Sequence, residues 1–336
     1  MAAEMAQQPD VLRALAARRD ELAAAVATTV PEDLAGVVVV ARGSSDFAAL
    51  YGRYIIEVAC RRPVVQAAPS LHTLYGAATD YRGYIAVAVS QSGRTPEIVT
   101  VLGRMKSAGA RTVAITNAPD SPLAEVADTT IDLRAGAESA VPATKTFSAS
   151  LLAFAVIARS LGDVPWDEED LDNVGEQAQA VLDDDGAAQK VATELHYAEG
   201  LISVGRGYLF PVALEAALKL KETTSMLADG YSAADLRHGP VAVVERDFPV
   251  LAFSAPGPAE KDMDDLIALL RDEHRARVFQ ARPADGVDLP LPEGMPEALV
   301  AIPAAVRAQQ VAYHLSIRKG LDPDRPPGLS KVTATT

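Results

Sequence analysis

Short runs of Val, Ile and Ala alternate along the chain with longer segments of helical periodicity. In the first half, continuous apolar runs of strand length occupy residues 36–41, 84–89, 111–116 and 129–133. In the second half, comparable runs occupy residues 201–204, 250–254, 277–279 and 298–302. Continuous apolar strands are buried on both faces, as in parallel sheets covered by helices on each side. The pattern therefore predicts an α/β fold with mostly parallel sheets.

The two halves of the chain repeat one another. Residues 36–49 and 200–213 each contain a β-branched run, an Arg-Gly pair, and a turn that leads into an Ala-rich segment. Gly43 and Gly207 are 164 positions apart, and Ser90 and Ser254 are separated by the same 164 positions. A constant offset over nearly fifty residues indicates a duplicated α/β unit.

Changes in composition suggest where the domains begin and end. We expect five segments: an amphipathic N-terminal helix (1–29), a first α/β domain (30–162), an acidic helical linker (163–190), a second α/β domain (191–320) and a polar tail (321–336). The clearest helices are predicted at residues 47–59, 96–107 and 211–226.

Charge and cysteine content exclude several classes of function. Acidic residues outnumber basic ones by 45 to 31, giving a net charge of −14, which is unsuited to nucleic acid or to an anionic membrane. The single cysteine, Cys60, excludes an internal disulfide and a cysteine-based metal cluster. Neither a signal peptide nor an apolar run of membrane-spanning length is visible. We expect a cytoplasmic protein without a metal site.

Two hydroxyl-rich turns follow predicted strands of the first half. In residues 90–96, SQSGRTP, Pro96 suits the first helical position, Thr95 can cap the helix and Gly93 permits close approach of a ligand. The turn Gly43-Ser44-Ser45 has a similar composition. Hydroxyls around helix N-terminal amides suit a phosphate dianion. An N-capped βα turn without a ligand is the alternative for either turn alone, but two neighbouring ones favour a phosphate site.

A charged stripe and a histidine turn stand out in the second half. Glu215, Lys219 and Glu222 fall within a narrow angular range of the helix predicted at 211–226. A lysine between carboxylates suits proton transfer and carbonyl chemistry, although a plain i,i+4 ion pair is the alternative. His238 lies in the following turn and can transfer protons near neutral pH, although it can equally be a solvated loop histidine.

Six motifs in one order resemble the SIS (sugar isomerase) domain family in its tandem form. They are RGSS (42–45), SQSGRT (90–95), PATKTF (142–147), ALEAALKLKE (213–222), LRHGP (236–240) and GLSK (328–331). The chain is similar to the isomerase half of glucosamine-6-phosphate synthase and to stand-alone sugar-phosphate deaminases and isomerases. The resemblance implies two tandem SIS domains, each a flavodoxin-like three-layer αβα fold, acting without a cofactor.

The resemblance also implies roles for individual residues. The sugar phosphate would be held by Ser45, Ser90, Gln91, Ser92 and Thr95. Glu222 would move the proton between C1 and C2 beside Lys219, and His238, from the neighbouring subunit of a homodimer, would open the ring. Lys331, in a tail that closes on the site, would bond the carbonyl carbon. Further substrate contacts are expected at Gly43, Ser44, Arg94, Val141 and Glu215.

Two departures from the synthase narrow the expected reaction. Only a short helix precedes the first SIS copy, so we expect no glutamine-hydrolysing domain, and Arg94 stands where synthases have an acidic residue. We therefore expect a hexose 6-phosphate or amino-hexose 6-phosphate substrate, and most specifically the conversion of glucosamine 6-phosphate to fructose 6-phosphate with release of ammonia. The alternatives are a plain phosphosugar isomerase, a fructosamine-6-phosphate deglycase and a non-catalytic sugar-phosphate sensor.

Overall fold

The structure is a computed structural model that describes residues 1–331. Its chain divides into two compact units. The first-copy unit comprises Asp10–Glu138, Lys145–Asp167 and the described residues 330 and 331. The second-copy unit comprises Met1–Pro9, Ser139–Thr144 and Glu168–Leu329.

The N-terminal segment is not the single helix that we expected. It forms three helices, α1 (Ala2–Met5), α2 (Gln8–Ala16) and α3 (Arg19–Ala27). Pro9 lies in the first turn of α2. Proline is tolerated there because the N–H that it lacks would have no helical partner in the first turn. Before α3, Arg18 leaves helical geometry at φ −100° and ψ 5°, and its guanidinium donates a 2.9 Å hydrogen bond to the Asp132 carbonyl.

The first-copy unit is built on a five-stranded parallel sheet. Its strands are β1 (Gly36–Val40), β2 (Val64–Gln66), β3 (Tyr84–Val89), β4 (Arg111–Thr116) and β5 (Thr129–Asp132), in the order β2-β1-β3-β4-β5. Its helices are α4 (Ser44–Cys60), α5 (Pro69–Thr73), α6 (Pro96–Ser107), α7 (Pro122–Val126) and α8 (Lys145–Leu161). This is the flavodoxin-like strand order. The chain adds β2 on one side of β1 and then β3, β4 and β5 on the other side, so the order reverses between β1 and β3.

Burial of both sheet faces explains why these strands are continuously apolar. Val38 and Val40 of β1 pack with Ile98 of α6 on one face, and the alternate valines of β1 point to the other face. On that other side α4 and α8 approach closely, because Gly52 leaves room for the ring of Phe154. The sheet is therefore the middle of three layers.

The second-copy unit repeats this plan. Its strands are β6 (Gly200–Gly205), β7 (Leu227–Ser232), β8 (Pro249–Phe253), β9 (Arg277–Arg282) and β10 (Leu289–Pro290), all parallel, in the order β10-β9-β8-β6-β7. Its helices are α9 (Glu168–Asp183), α10 (Asp185–Glu194), α11 (Phe210–Thr224), α12 (Ala233–Arg237), α13 (Glu260–Asp272) and α14 (Glu297–Arg318). Counted from its first strand, the order is that of the first copy, which confirms the α/β fold with two similar sheets.

One predicted strand is wrong. Residues 298–302 belong to α14, a buried helix of 22 residues, and β10 takes the fifth place in the sheet. A short apolar run cannot distinguish a strand from a stretch of buried helix, and here burial continues without a break to Ala312.

The segments between and after the domains also take definite forms. Residues expected to link the domains form α9 and the start of α10, and Leu171, Val174 and Val181 of α9 are buried. Residues 321–331 contain neither helix nor strand, and the tail residues 332–336 lie outside the described residues. Within residues 1–331, every helix is too short or too polar to cross a lipid bilayer.

Candidate functional site

Both hydroxyl-rich turns leave the same edge of the first-copy sheet. Val40 at the end of β1 is the register partner of Ala88 near the end of β3. The turns that follow these two strands therefore emerge side by side, where the strand order reverses. Ligands of doubly wound sheets bind at this point.

The turn after β3 is tight and partly buried. The Gly93 N–H donates a 3.0 Å hydrogen bond to the Ser90 carbonyl, and Ser90 is 6% exposed. Gly93 has φ +61°, and a Cβ at this position would overlap Ser121. Glycine is thus required here both by the backbone conformation and by the space available.

Thr95 and Pro96 begin α6 as expected, but the threonine hydroxyl does not act as predicted. Thr95 is the N-cap residue, yet within residues 1–331 its side chain makes no capping hydrogen bond. Its hydroxyl instead lies 3.3 Å from the Ser90 hydroxyl. Pro96 has no N–H, and the backbone N–H groups that follow it in the first turn of α6 have no preceding helical carbonyl, as at every helix N-terminus.

Gln91, Ser92 and Arg94 complete this turn. Gln91 and Ser92 are half-buried and Arg94 is exposed. The Arg94 N–H donates a 3.3 Å hydrogen bond to the Ser92 hydroxyl, which orders the turn. The turn thus presents hydroxyls beside the N-terminus of α6.

The turn after β1 adds further hydroxyls. Gly43 has φ +59° and precedes Ser44 and Ser45, which are half-buried and begin α4. The neighbouring Arg42 donates two hydrogen bonds of 2.9 Å to Glu97 in the first turn of α6. The hydrogen bond to Glu97 raises the pKa of the Arg42 guanidinium. Sequence reasoning missed this pair, because nothing local links residues 55 positions apart.

The tail lysine also lies in the first-copy unit. Lys331 Nζ is 3.0 Å from Glu138 Oε2, and the Glu138 side chain is fully buried. Glu138 also accepts hydrogen bonds from the Thr146 N–H and hydroxyl, at 3.2 and 2.6 Å. Val141 belongs to the second-copy unit, where its N–H donates a 2.9 Å hydrogen bond to the Asp324 carbonyl.

The charged stripe of α11 is present in the second-copy unit. Lys219 is fully buried between two carboxylates, with its Nζ 3.3 Å from Glu215 Oε1 and hydrogen-bonded to Glu222. Glu215 is fully buried, whereas the Glu222 side chain is 20% exposed. Glu222 is therefore the member of the stripe that a solute can reach.

The two carboxylates keep the buried lysine charged. Burial lowers the pKa of the Lys219 ammonium, but the charges of Glu215 and Glu222 and the hydrogen bonds to them outweigh burial. The pKa is raised above that of a free lysine. An ammonium is a poor nucleophile, so the environment of Lys219 favours an electrostatic role over imine formation.

His238 is available for proton transfer but is not positioned by another side chain. It is exposed at the C-terminus of α12, and its N–H donates a 3.1 Å hydrogen bond to the Asp235 carbonyl. Its imidazole has no hydrogen-bond or ion-pair partner among residues 1–331. The preceding Arg237 is anchored to Asp262 at 2.6 Å, which holds the backbone of the turn.

Known proteins resemble the chain in both sequence and fold. It is 34% identical over 319 residues to the glutamine–fructose-6-phosphate aminotransferase (isomerizing) of Gloeobacter violaceus, covering 89% of this chain and 52% of the relative. The chain thus spans about half the length of the curated relatives it matches. A Silicibacter pomeroyi protein proposed to be a phosphosugar isomerase has a TM-score of 0.83 at 30% identity, covering 96% of this chain and 99% of the other.

The fold extends to a more distant structure. Glucosamine-6-phosphate deaminase from Thermotoga maritima has a TM-score of 0.76 at 24% identity, covering 97% of this chain and 99% of the other. The SIS domain family model matches residues 36–160 and 194–279, which span most of both sheets. The matched residues make up more than half of the chain, and the chain therefore belongs to the SIS domain family.

Proposed function

We propose that this protein is a phosphosugar isomerase that deaminates its substrate, converting glucosamine 6-phosphate and water to fructose 6-phosphate and ammonia. The observation that carries the proposal is the stripe on α11. There, a buried ammonium joins two carboxylates, and only Glu222 is partly exposed. Such an arrangement supplies one oriented base rather than a surface ion pair.

The phosphate would be held by the two turns of the first-copy unit. Ser45, Ser90, Ser92 and Thr95 would contribute hydroxyls, and Gln91 would contribute an amide. The N-terminus of α6 would add backbone N–H donors and the positive end of its dipole. Gly43, Ser44 and Arg94 would border the same phosphate.

The chemistry needs three proton movements. His238 would open the sugar ring by moving the C1 hydroxyl proton to the ring oxygen. Glu222 would then take the proton from C2 and return it to C1, while a proton of the C2 amino group passes to the C1 oxygen, leaving a C1 hydroxyl and an imine at C2. Addition of water to that imine and loss of ammonia give the ketone of fructose 6-phosphate, so that all atoms are accounted for.

The two lysines have different parts in this scheme. Lys219, charged and buried, would orient the Glu222 carboxylate, with Glu215 as its second anchor. Lys331 would assist at the carbonyl carbon, since its side chain remains partly exposed beside Glu138. We further propose a homodimer in which His238 serves the neighbouring subunit, with Val141 as an additional substrate contact.

Two comparisons support the proposal. The Gloeobacter relative is an isomerizing enzyme of fructose 6-phosphate, and the Thermotoga protein with the same fold is a glucosamine-6-phosphate deaminase. The deglycase alternative has weaker support, because the guanidinium of Arg42 is occupied by Glu97. Arg94 alone would be left to bind a substrate carboxylate.

One assay tests the proposal. The purified protein is incubated with glucosamine 6-phosphate, and ammonia and fructose 6-phosphate are measured; the proposal expects both in equal amounts. Proton exchange at C2 without ammonia would replace deamination by plain isomerisation. Neither product nor exchange, with the sugar phosphate still bound, would indicate a non-catalytic sugar-phosphate-binding protein.

A further inference from the structure

The short helix α12 ends at His238 and is held at its start by an arginine. Ser232 is the N-cap residue of α12, and its hydroxyl accepts a 2.9 Å hydrogen bond from Nη1 of Arg206. Arg206 directly follows β6, so this contact ties the start of the helix to the carboxyl end of that strand. A helix of only five residues has little stability of its own, and its orientation therefore depends on such contacts.

Asp262 of α13 holds the other end of the same helix. Arg237, the last residue of α12, donates hydrogen bonds of 2.6 Å to Oδ1 of Asp262 and to the Asp262 backbone carbonyl. A planar guanidinium that makes two such contacts with one residue is fixed in direction as well as in distance. Since Arg237 immediately precedes His238, this contact fixes the point at which the histidine leaves the helix.

The two ends of α12 are joined through the same carboxylate. Oδ2 of Asp262 is buried and lies 3.2 Å from Nε of Arg206 in an ion pair. Ser232, Arg206, Asp262 and Arg237 thus form a continuous series of contacts from one end of the helix to the other, which we call the α12 frame. An isolated exposed ion pair contributes little, whereas a carboxylate shared by two arginines forms a network that orders its members together.

The first copy contains a related contact that serves different turns. Arg206 corresponds to Arg42 at the offset of 164 positions. Each arginine pairs with a carboxylate in the first turn of a helix, Glu97 of α6 in the first copy and Asp262 of α13 in the second. In the second copy the carboxylate also contacts Arg237, so the contact extends to the histidine turn.

We propose that Asp262 is a positioning residue for His238, and that it acts on the ring-opening step by fixing α12 through Arg206 and Arg237. This inference rests on the proposed function, in which His238 moves the C1 hydroxyl proton to the ring oxygen. In the part of the chain that the structure describes, no other side chain orients the imidazole, so its placement depends on the backbone that carries it. A displacement of about 1 Å in a catalytic group can lower the rate on the order of 10²-fold.

A double-mutant cycle tests whether Asp262 acts through His238. Asp262→Asn keeps the size of the side chain but removes its charge, and kcat for glucosamine 6-phosphate should fall about ten- to hundredfold. Its affinity for the sugar phosphate, measured by calorimetry, should change less than about twofold. In a His238→Ala background the same substitution should lower the residual kcat by less than about twofold. The control Asp265→Asn, on the same helix and paired with exposed Lys261, should leave kcat unchanged in both backgrounds.

Hydrogen–deuterium exchange gives a readout that does not depend on activity. The backbone amides of residues 233–239 should exchange about tenfold faster in Asp262→Asn than in the wild type, because the α12 frame is broken, and Asp265→Asn should match the wild type. A wild-type protein without turnover, together with faster exchange in Asp262→Asn, would contradict the proposed function and not the α12 frame.

Two results overturn the inference. One is an equal loss of kcat on Asp262→Asn in the presence and absence of His238, and the other is unchanged exchange in folded Asp262→Asn. If Asp262→Asn does not fold, Arg206→Gln, which breaks the α12 frame at its other end, is measured by the same criteria.

Discussion

Arg42 donates two parallel hydrogen bonds, each 2.9 Å long, to the buried carboxylate of Glu97. The arginine follows β1 and the glutamate lies in the first turn of α6, so the pair joins the two hydroxyl-rich turns of the first-copy unit. A bidentate pair fixes orientation as well as distance. The spacing of the two turns, and with it the proposed phosphate site, depends on this contact.

Replacing Arg42 by lysine should weaken substrate binding without slowing the chemical step. Lysine has no planar fork and cannot reproduce the bidentate contact. We expect KM for glucosamine 6-phosphate to rise about tenfold, equivalent to ~1.4 kcal/mol, with kcat changed by less than about twofold. Arg82→Lys, at an exposed pair with Asp80, is the matched control. A fall in kcat with unchanged KM would contradict the positioning role.

Loss of single hydroxyls in the turn after β3 should lower affinity for the phosphate group. Ser92→Ala and Thr95→Val each remove one proposed donor, worth about 0.5–1.5 kcal/mol, so each should weaken sugar-phosphate binding about two- to twelvefold. Ser107→Ala removes a hydroxyl at the far end of α6 and should leave the affinity for the sugar phosphate unchanged. Calorimetric titration provides the measurement. If all three variants bound the sugar phosphate as tightly as the wild type, the proposal that this turn binds the phosphate would be wrong.

The Lys219 ammonium should matter for turnover more than for binding. Lys219→Met should lower kcat on the order of 10²-fold, because Glu222 loses the donor that orients it. The same change leaves the buried Glu215 without its cation, which costs about 3–5 kcal/mol of stability.

A double variant separates these two effects. Glu215→Gln combined with Lys219→Met removes both buried charges, and its unfolding free energy should recover while kcat stays low. Chemical denaturation and steady-state kinetics on the same preparations make the comparison. Recovery of kcat together with stability would show that Lys219 serves the fold alone.

Asp128 should make the stability of the first-copy unit sensitive to acid. Burial raises the pKa of its carboxyl, but hydrogen bonds from Lys106 and Thr112 outweigh burial and lower it below the usual range. Because the folded pKa is the lower one, the stabilisation is complete above the unfolded value of about 3.9 and is lost as the pH falls through the folded value.

The variant Asp128→Asn tests that dependence. At pH 7 it should unfold more readily than the wild type by about 1.5–3 kcal/mol, the range for hydrogen bonds to a charged group. The difference should shrink as the pH is lowered below about 3.9. Urea denaturation across this pH range is the measurement, and a difference that does not depend on pH would contradict the assignment.

Local pattern was sufficient for much of the fold. Strands β3 and β4 and helix α6 have the bounds that their apolar periodicity predicts, because each is buried in a regular way. Strand β7 was missed, since Leu227–Ser232 contains aspartate and glycine and has no continuous apolar run. This segment forms a strand because it pairs in parallel with β6, and no local sequence pattern reveals that pairing.

The candidate site shows the same division. The stripe of Glu215, Lys219 and Glu222 follows from helical geometry, and the structure confirms that these side chains contact one another. The pairing of Arg42 with Glu97 joins residues that are 55 positions apart in the sequence. Spacing alone cannot identify such partners.

In the proposed reaction Glu222 moves the proton of a bound sugar phosphate, and the variant Glu222→Gln isolates this role. In heavy water, exchange of the C2 proton of glucosamine 6-phosphate is followed by NMR, and binding of the same compound is measured by calorimetry. We expect the variant to bind the sugar phosphate as the wild type does and to show neither exchange nor product. Exchange and turnover at the wild-type rate in the variant would contradict it.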